Sequence, residues 1–145
     1  RNRTLWSGMV MLGPHHRVFF SGDTGATPEH ADIGRSLGPF DVAMFEIGAF
    51  HPAWGAIHLG PERALQSFAA MGARALLPVH WSTFDLALHH WAEPAETLRA
   101  LAAAEGAEVW QPQVGGQVHG GATTDQRAGW KEPWWRAVDG GPSAG

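Results

Sequence analysis

Cysteine is absent from the 145-residue sequence, which excludes disulfide bonds and thiolate chemistry. Any metal site must therefore use histidine and carboxylate side chains. Blocks of like charge are also absent, and the formal net charge is −4. Proteins that bind nucleic acids usually carry clusters of basic residues, which this sequence does not have. No stretch approaches the roughly 20 apolar residues that span a bilayer, and no signal peptide is recognisable. These absences predict a soluble, cytoplasmic protein that does not bind nucleic acid.

Charged residues are also scarce, at 17% of the chain, whereas hydrophobic residues make up 44% and include eight Trp and seven Phe. A chain of this kind can bury a hydrophobic core, so the composition argues against an intrinsically disordered protein. It also argues against a long coiled coil, because Gly and Pro together supply 29 residues.

Apolar runs and turn residues alternate along most of the chain, and this alternation predicts the secondary structure. Strands are expected within residues 4–12, 17–21, 41–47, 74–79 and 108–111, and helices within 28–37, 61–71 and 94–105. The first two strands should form a hairpin, and Thr27 should cap the first helix. The order of strands and helices predicts an α/β sheet with its chemistry beyond the strand ends.

The pattern weakens after residue 112. We therefore divide the chain into an α/β part, residues 1–112, and a Gly- and Trp-rich C-terminal tail, residues 113–145. No convincing helical period is visible beyond residue 115. Trp130, Trp134 and Trp135 are the strong candidates for anchoring this tail to the rest of the protein.

The sequence S-G-D-T-G at residues 21–25 places Asp23 directly after the second predicted strand. The flanking glycines allow a ligand or another backbone segment to approach closely. A carboxylate at the buried end of a strand needs a positive partner. Asp23 could instead be a turn residue or a cap for the following helix. On this motif alone, the functional and the structural interpretations are equally supported.

His80 ends the strand predicted at residues 74–79 in a similar way. A neutral imidazole is a good zinc ligand there, although a core histidine bonded to a backbone carbonyl is the commoner case. Asp23 and His80 should reach the same edge of one sheet, with His58 on the loop between them. That combination favours a metal-ligand role over a structural one for Asp23 and His80, because metal-assisted hydrolysis needs such a cluster.

The other histidines in loops and turns are weaker candidates, and no His-x-His or His-x-x-x-His pair could form a local chelate. Solvent exposure or a structural role explains each of them better than metal ligation does. They are His15, His16, His51, His89, His90 and His119. The ligand set visible in this sequence is therefore incomplete.

Several ordered motifs resemble those of a known family. They are N-R-T-L-W at 2–6, F-S-G-D-T-G at 20–25, G-P-F-D at 38–41, E-I-G-A at 46–49, I-H at 57–58 before P-E at 61–62, and V-H-W-S-T-F at 79–84. Over roughly residues 2–101 the chain resembles the metallo-β-lactamase superfamily. The closer likeness is to the branch of N-acylphosphatidylethanolamine-hydrolysing phospholipase D and its bacterial relatives, and E-P-W-W-R at 132–136 is similar as well.

This resemblance implies an αββα sandwich that holds two zinc ions at one edge. It implies that Asp23 bridges both metals, that His80 ligates one of them, and that His58 lines the active site near the scissile phosphate as a catalytic and substrate-binding residue. The reaction would be phosphodiester hydrolysis by a hydroxide that the two zinc ions activate. The products would be a phosphatidic acid and an N-acylethanolamine-like alcohol.

The sequence departs from the family pattern in one respect. It lacks the His-x-His-x-Asp-His signature and a further ligand histidine, which lie N-terminal to the matched region in the family. We therefore interpret the chain as the C-terminal half of the sandwich. With only Asp23 and His80 supplied, the isolated chain should bind zinc weakly and show no phosphodiesterase activity.

Two other functions stay open. One is a lactonase or another ester hydrolase, because loops choose the substrate on a shared metal edge. The other is a non-catalytic binding half-domain that pairs with another chain. A phosphodiester or phospholipid is the favoured substrate, and Trp54, Trp81 and Trp91 could touch a membrane surface, although core packing explains large aromatic residues better. The ligand types suit zinc, iron or manganese, and the oligomeric state is not determined by the sequence.

Overall fold

The structure is a computed structural model that describes residues 6–55, 57–85, 87–119 and 122–138. It contains four strands and four α-helices within those residues. The strands are β1 (Met9–Leu12), β2 (Arg17–Phe20), β3 (Val42–Glu46) and β4 (Ala75–Val79), and the helices are α1 (Glu29–Leu37), α2 (Gly60–Met71), α3 (Glu93–Glu105) and α4 (Thr124–Gly129). Short 3-10 helices lie at Pro52–Trp54 and Trp134–Ala137.

The strands form one sheet in the order β1-β2-β3-β4. β1 and β2 pair antiparallel, with Met9 opposite Phe20, so the predicted hairpin is confirmed. β2, β3 and β4 run parallel to one another. Helices connect the parallel strands, as such crossovers require. The carboxyl ends of three strands consequently meet at one edge of the sheet.

The hydrophobic core lies between the sheet and its helices. α2 packs against β3 and contacts both α1 and α3. The inward side chains of the strands include Phe19, Ala43, Phe45 and Leu76, each at most 2% exposed. Alternate strand residues point to opposite faces, which places this apolar set on one side of the sheet. Burial of these side chains holds the strand ends, and therefore the edge above them, in a defined geometry.

Two local predictions were wrong. α1 has Pro28 at its N-cap position and no side-chain hydrogen bond caps it, so Thr27 is not the cap. The segment 108–111 forms only an isolated parallel bridge between Leu76 and Val109, with hydrogen bonds from the amide of Leu76 to Glu108 and from the amide of Trp110 to Leu76. One bridge extends the sheet by a single contact but makes no fifth strand.

The segment after residue 112 contains a helix that the sequence pattern lacks. Thr123 and Gln126 form a reciprocal capping box at the start of α4. Further along, Trp135 is fully buried against Ala92 and Ala95 of the α3 region, and Trp81 and Trp134 pack beside it. Trp130 is 8% exposed. The anchoring role predicted for these tryptophans is therefore confirmed. None of the described helices has the length and apolar character needed to cross a membrane.

Candidate metal centre

An acidic or imidazole side chain lies at or just beyond the end of each of the three parallel strands. Asp23 comes three residues after β2, Glu46 is the last residue of β3, and His80 comes directly after β4. His58 approaches the same place from the loop before α2. The parallel arrangement of the strands brings these groups together, since parallel strands end at a common edge.

Short distances join the four side chains. The Nδ1 atom of His58 lies 2.7 Å from Oε2 of Glu46, and Nδ1 of His80 lies 3.5 Å from the same oxygen. On its other side, Nε2 of His80 lies 3.7 Å from Oδ1 of Asp23. The two imidazole rings stack with centroids 5.2 Å apart. His80 therefore stands between two carboxylates, and His58 hydrogen-bonds to one of them.

Glu46 is the only charged side chain in the described residues that is completely buried. Its Oε1 atom accepts hydrogen bonds from the backbone amides of Thr24, at 3.0 Å, and Leu59, at 3.2 Å. Burial raises the pKa of the Glu46 carboxyl above its usual value, and the bonds from Thr24 and Leu59 and the proximity of His58 act in the opposite direction. Glu46 thus ties the segment after β2 to the segment before α2.

The backbone at this edge is held in an uncommon conformation. Ala49, His80 and Ser82 have φ angles of 51°, 63° and 70°, a region that costs L-residues about 1 kcal/mol or more. Gly48 allows the ends of β3 and β4 to approach closely, because a Cβ atom there would lie 2.0 Å from the carbonyl oxygen of His80. The surrounding fold imposes this strain on the residue that presents the imidazole.

Several cavities border the paired imidazoles. A cavity of about 340 Å³ is lined by Asp23 and His58 together with Trp6, Ser7 and Ile57. A second cavity, of about 360 Å³, is lined by His80 and by the aromatic side chains of Trp81, Phe84 and Trp91, among others. The two imidazoles are therefore accessible to small molecules.

The donor set fits a divalent metal ion. Two ligand atoms held about 2.1 Å from one tetrahedral ion lie roughly 3.4 Å apart, and Asp23 and His80 present an oxygen and a nitrogen 3.7 Å apart. Within the described residues, Glu46, His58 and His80 form one group of three side chains whose ligand atoms all lie within 4.8 Å of one another. These are the hard and borderline ligands that zinc, iron and manganese accept.

The three residues singled out in the sequence, Asp23, His58 and His80, meet at one edge in the structure. Their roles as metal ligands or catalytic groups stay predictions. Glu46 was not recognised as a site residue from the sequence, where it belongs to the E-I-G-A motif. A charged residue ending an otherwise apolar strand was the signal that could have identified it.

Other histidines lie apart from this cluster or have other contacts. His16 faces Asp41, with Nδ1 3.8 Å from a carboxylate oxygen, and the ring of His89 stacks on Phe50. His51 accepts a hydrogen bond from the amide of Ala53. These contacts agree with the structural explanation that the sequence favoured for the loop and turn histidines.

Comparison with known proteins identifies the family. The family described as "Beta-lactamase superfamily domain" matches residues 1–81. A protein of Mycobacterium tuberculosis is 43% identical over 139 residues, which cover 94% of this chain and 36% of that protein. N-acyl-phosphatidylethanolamine-hydrolyzing phospholipase D 1 of Caenorhabditis elegans is 36% identical over 104 residues, which cover 69% of this chain and 29% of the enzyme.

A solved structure has the same fold. The isothiocyanate hydrolase from Delia radicum gut bacteria superimposes with a TM-score of 0.58 at 21% identity, over 73% of this chain and 40% of that enzyme. The chain spans about a third of the length of the Mycobacterium tuberculosis and Caenorhabditis elegans relatives. The matched motifs, the parallel sheet and the cluster at its carboxyl edge agree with one another. The chain belongs to the metallo-β-lactamase superfamily, in the branch that resembles N-acylphosphatidylethanolamine-hydrolysing phospholipase D.

Proposed function

We propose that this chain supplies part of the metal centre of a metal-dependent hydrolase, and that the bond hydrolysed is a phosphodiester of the N-acylphosphatidylethanolamine type. The observation that carries the proposal is the 3.7 Å separation of Asp23 Oδ1 and His80 Nε2 at the carboxyl edge of the sheet. The likeness to the Caenorhabditis elegans phospholipase D supports the choice of substrate class.

Asp23 and His80 are the residues that would hold metal. Two zinc ions are the expected complement, by analogy with the family. Bound metal would supply Lewis-acid polarisation of the phosphoryl oxygens and activation of water. His58 lines the cavity beside Asp23, where its ring can form a hydrogen bond with the substrate or with water.

The surroundings of the site suit a substrate with apolar groups. The aromatic wall of the second cavity adjoins His80. Ile57, Phe84 and Leu88, on the loops around the site, are 49%, 72% and 81% exposed. Exposed apolar side chains on loops around a site favour contact with acyl chains or with the surface of a membrane.

Zinc titration of the isolated chain by calorimetry tests the ligand assignment. We expect weak binding, and we expect Asp23→Asn and His80→Gln to abolish it, because each removes one of the two proposed ligands. The exposed Asp125→Asn is the control and should leave the titration unchanged. Tight binding at one or two equivalents would show that the isolated chain already holds a complete site. Binding retained by both variants would contradict the assignment of Asp23 and His80.

A hydrolysis assay tests the reaction. The isolated chain should not hydrolyse an N-acylphosphatidylethanolamine. If the reading frame upstream encodes the His-x-His-x-Asp-His signature, the longer protein should hydrolyse this lipid, and Asp23→Ala should abolish the activity. Cleavage of a lactone but not of the phosphodiester would establish the lactonase alternative instead. An upstream frame without the signature and a longer protein without hydrolase activity would favour a binding half-domain.

A further inference from the structure

We propose that Glu46 is a positioning residue that holds His58 in the Nδ1-protonated tautomer and so presents the lone pair of Nε2 to the candidate site. The role of this tautomer in hydrolysis rests on the proposed function. The tautomer itself is a property of the chain's own residues and can be measured without metal or substrate.

The two carboxylate oxygens of Glu46 have different partners. Oε1 accepts from the amides of Thr24 and Leu59, which are obligate donors. Oε2 lies 2.7 Å from Nδ1 of His58. An ionised carboxylate can only accept hydrogen bonds. Where Glu46 is ionised, the proton between Glu46 and His58 is therefore carried by Nδ1 of the imidazole.

The position of that proton decides what His58 offers to the site. A neutral imidazole carries one proton, so the ring nitrogen opposite the N–H has a lone pair. With Nδ1 engaged by Glu46, the free nitrogen is Nε2, on the side of the ring away from that carboxylate. His58 also lines the cavity that contains Asp23. It would accept a hydrogen bond or a proton there, as a carboxylate-oriented histidine does in other hydrolytic sites.

Glu46 is better placed to orient imidazoles than to ligate metal. Both of its oxygens are already used by protein donors, and the side chain is fully buried. Nδ1 of His80 also faces Oε2, at 3.5 Å. Its Nε2 atom then faces Asp23. One buried carboxylate thus stands behind both rings, and the nitrogen that each ring turns away from Glu46 is Nε2.

Exchange of Glu46 for Gln makes a sharp test because the two side chains have the same shape. The amides of Thr24 and Leu59 need the single carbonyl oxygen of the glutamine. Its NH₂ group would then face Nδ1 of His58 and donate to it. We expect Glu46→Gln to move the proton of His58 from Nδ1 to Nε2, which reverses the donor and acceptor atoms of the ring.

Long-range ¹H–¹⁵N spectra of the labelled 145-residue chain distinguish protonated from unprotonated ring nitrogens, at a pH above about 8, where ordinary imidazoles are neutral. His58→Gln assigns the signals of His58. The wild type should show a protonated Nδ1, and Glu46→Gln should show a protonated Nε2. Glu105→Gln, an exposed position at the end of α3, is the matched control and should leave the wild-type spectrum intact.

Each result decides the question. An Nε2-protonated His58 in the wild type overturns the proposal, whether or not any variant folds. A folded Glu46→Gln that keeps the wild-type tautomer also overturns it, because Glu46 would then be merely structural. Should Glu46→Gln fail to fold, Glu46→Asp provides the second variant: its shorter carboxylate should speed solvent exchange of the Nδ1 proton, and unchanged exchange would contradict the proposal. Failure of zinc binding or hydrolysis would reject the proposed function and leave the tautomer result standing.

Discussion

His30 is a buried histidine that does not belong to the candidate metal centre. It is 4% exposed on α1, its ring packs edge-on against Phe19 and Phe45, and its Nδ1 atom has no hydrogen-bond partner among the described residues. Burial lowers the pKa of this imidazole, and Glu29 opposes the shift only in part. A neutral ring in an apolar setting is the consequence.

Replacement of His30 by Leu should stabilise the protein, by about 1 kcal/mol near neutral pH, because an unsatisfied buried polar atom is removed. The gain should grow as the pH falls below about 6.5, since the unfolded chain of the wild type then binds a proton that the folded state resists. Urea denaturation at neutral and acid pH measures both effects.

His15→Leu, at an exposed position in the hairpin turn, is the control for the substitution itself. It should change the free energy of unfolding by less than about 0.5 kcal/mol. If His30→Leu destabilises the protein at both pH values, the imidazole must make a contact that outweighs the unpaired nitrogen.

The sequence identified some residues of the candidate site but not all of them. Asp23 and His80 were recognisable because a polar side chain after an apolar strand is conspicuous, and His58 because it lies on the loop between them. Glu46 was not recognised. Its importance depends on two backbone amides and an imidazole that are 12 to 22 residues away in sequence, and no local pattern encodes such partners.

At the level of elements, α1 and α2 approach each other across Gly34. A Cβ atom at Gly34 would lie 2.2 Å from the carbonyl oxygen of Met71, the last residue of α2. Neither helix backbone can yield without moving against the core, where Met71 is 3% exposed. The glycine is therefore required by packing and not by backbone conformation.

We expect Gly34→Ala to destabilise the protein by about 2 kcal/mol through overpacking. In an unconstrained helix the same change would be stabilising, by up to about 1 kcal/mol. The sign of the effect therefore reports the close contact, and chemical denaturation measures it. Ser36→Ala, at an exposed position of the same helix, should remain within about 0.5 kcal/mol of the wild type. A stabilised Gly34→Ala protein would mean that α1 can move away from α2.

Most elements followed from sequence periodicity, because apolar spacing and the Gly and Pro residues at element ends act locally. α2 and α3 each end on a glycine in the left-handed conformation, Gly72 and Gly106, directly after the helix ends predicted at residues 71 and 105. α4 was missed, since six residues with no buried side chain show no apolar period. Its capping box is local, because Thr123 and Gln126 are three residues apart, so T-x-x-Q was the signal that could have identified it.

For the whole molecule, the C-terminal segment is attached to α3 through Glu96. Arg136 donates two hydrogen bonds of 2.6 Å to this carboxylate, and the indole N–H of Trp135 donates a third, at 2.8 Å. The bond from Arg136 is the main reason that the pKa of Glu96 lies below its usual value. The buried indole of Trp135 supplies the apolar part of the same attachment.

The attachment should weaken in acid. A carboxyl whose pKa is lowered on folding stabilises the folded state above its unfolded pKa, about 4.3, and this contribution disappears as the pH falls through the folded value. We expect Arg136→Gln to lower the melting temperature at neutral pH. The difference from the wild type should shrink as Glu96 becomes protonated, and thermal melts over a pH series measure it.

Arg35→Gln is the control for this prediction, because Arg35 pairs with Asp32 at the surface, one helical turn away, and such pairs contribute little. It should hardly change the melting temperature. A constant difference between Arg136→Gln and the wild type down to strongly acid pH would show that the arginine acts through packing and not through Glu96.

The sequence by itself restricted any metal ligands to histidine and carboxylate side chains. It also indicated the order of strands and helices, the strand-end positions of Asp23 and His80 and the loop position of His58, because these follow from residue type and local spacing. Tertiary structure alone decided the distances between these side chains and the position of Glu46 behind both imidazoles. It also decided that Trp135 docks on α3. Each of these depends on packing that brings distant segments within hydrogen-bond or van der Waals distance, and only the folded chain creates that proximity.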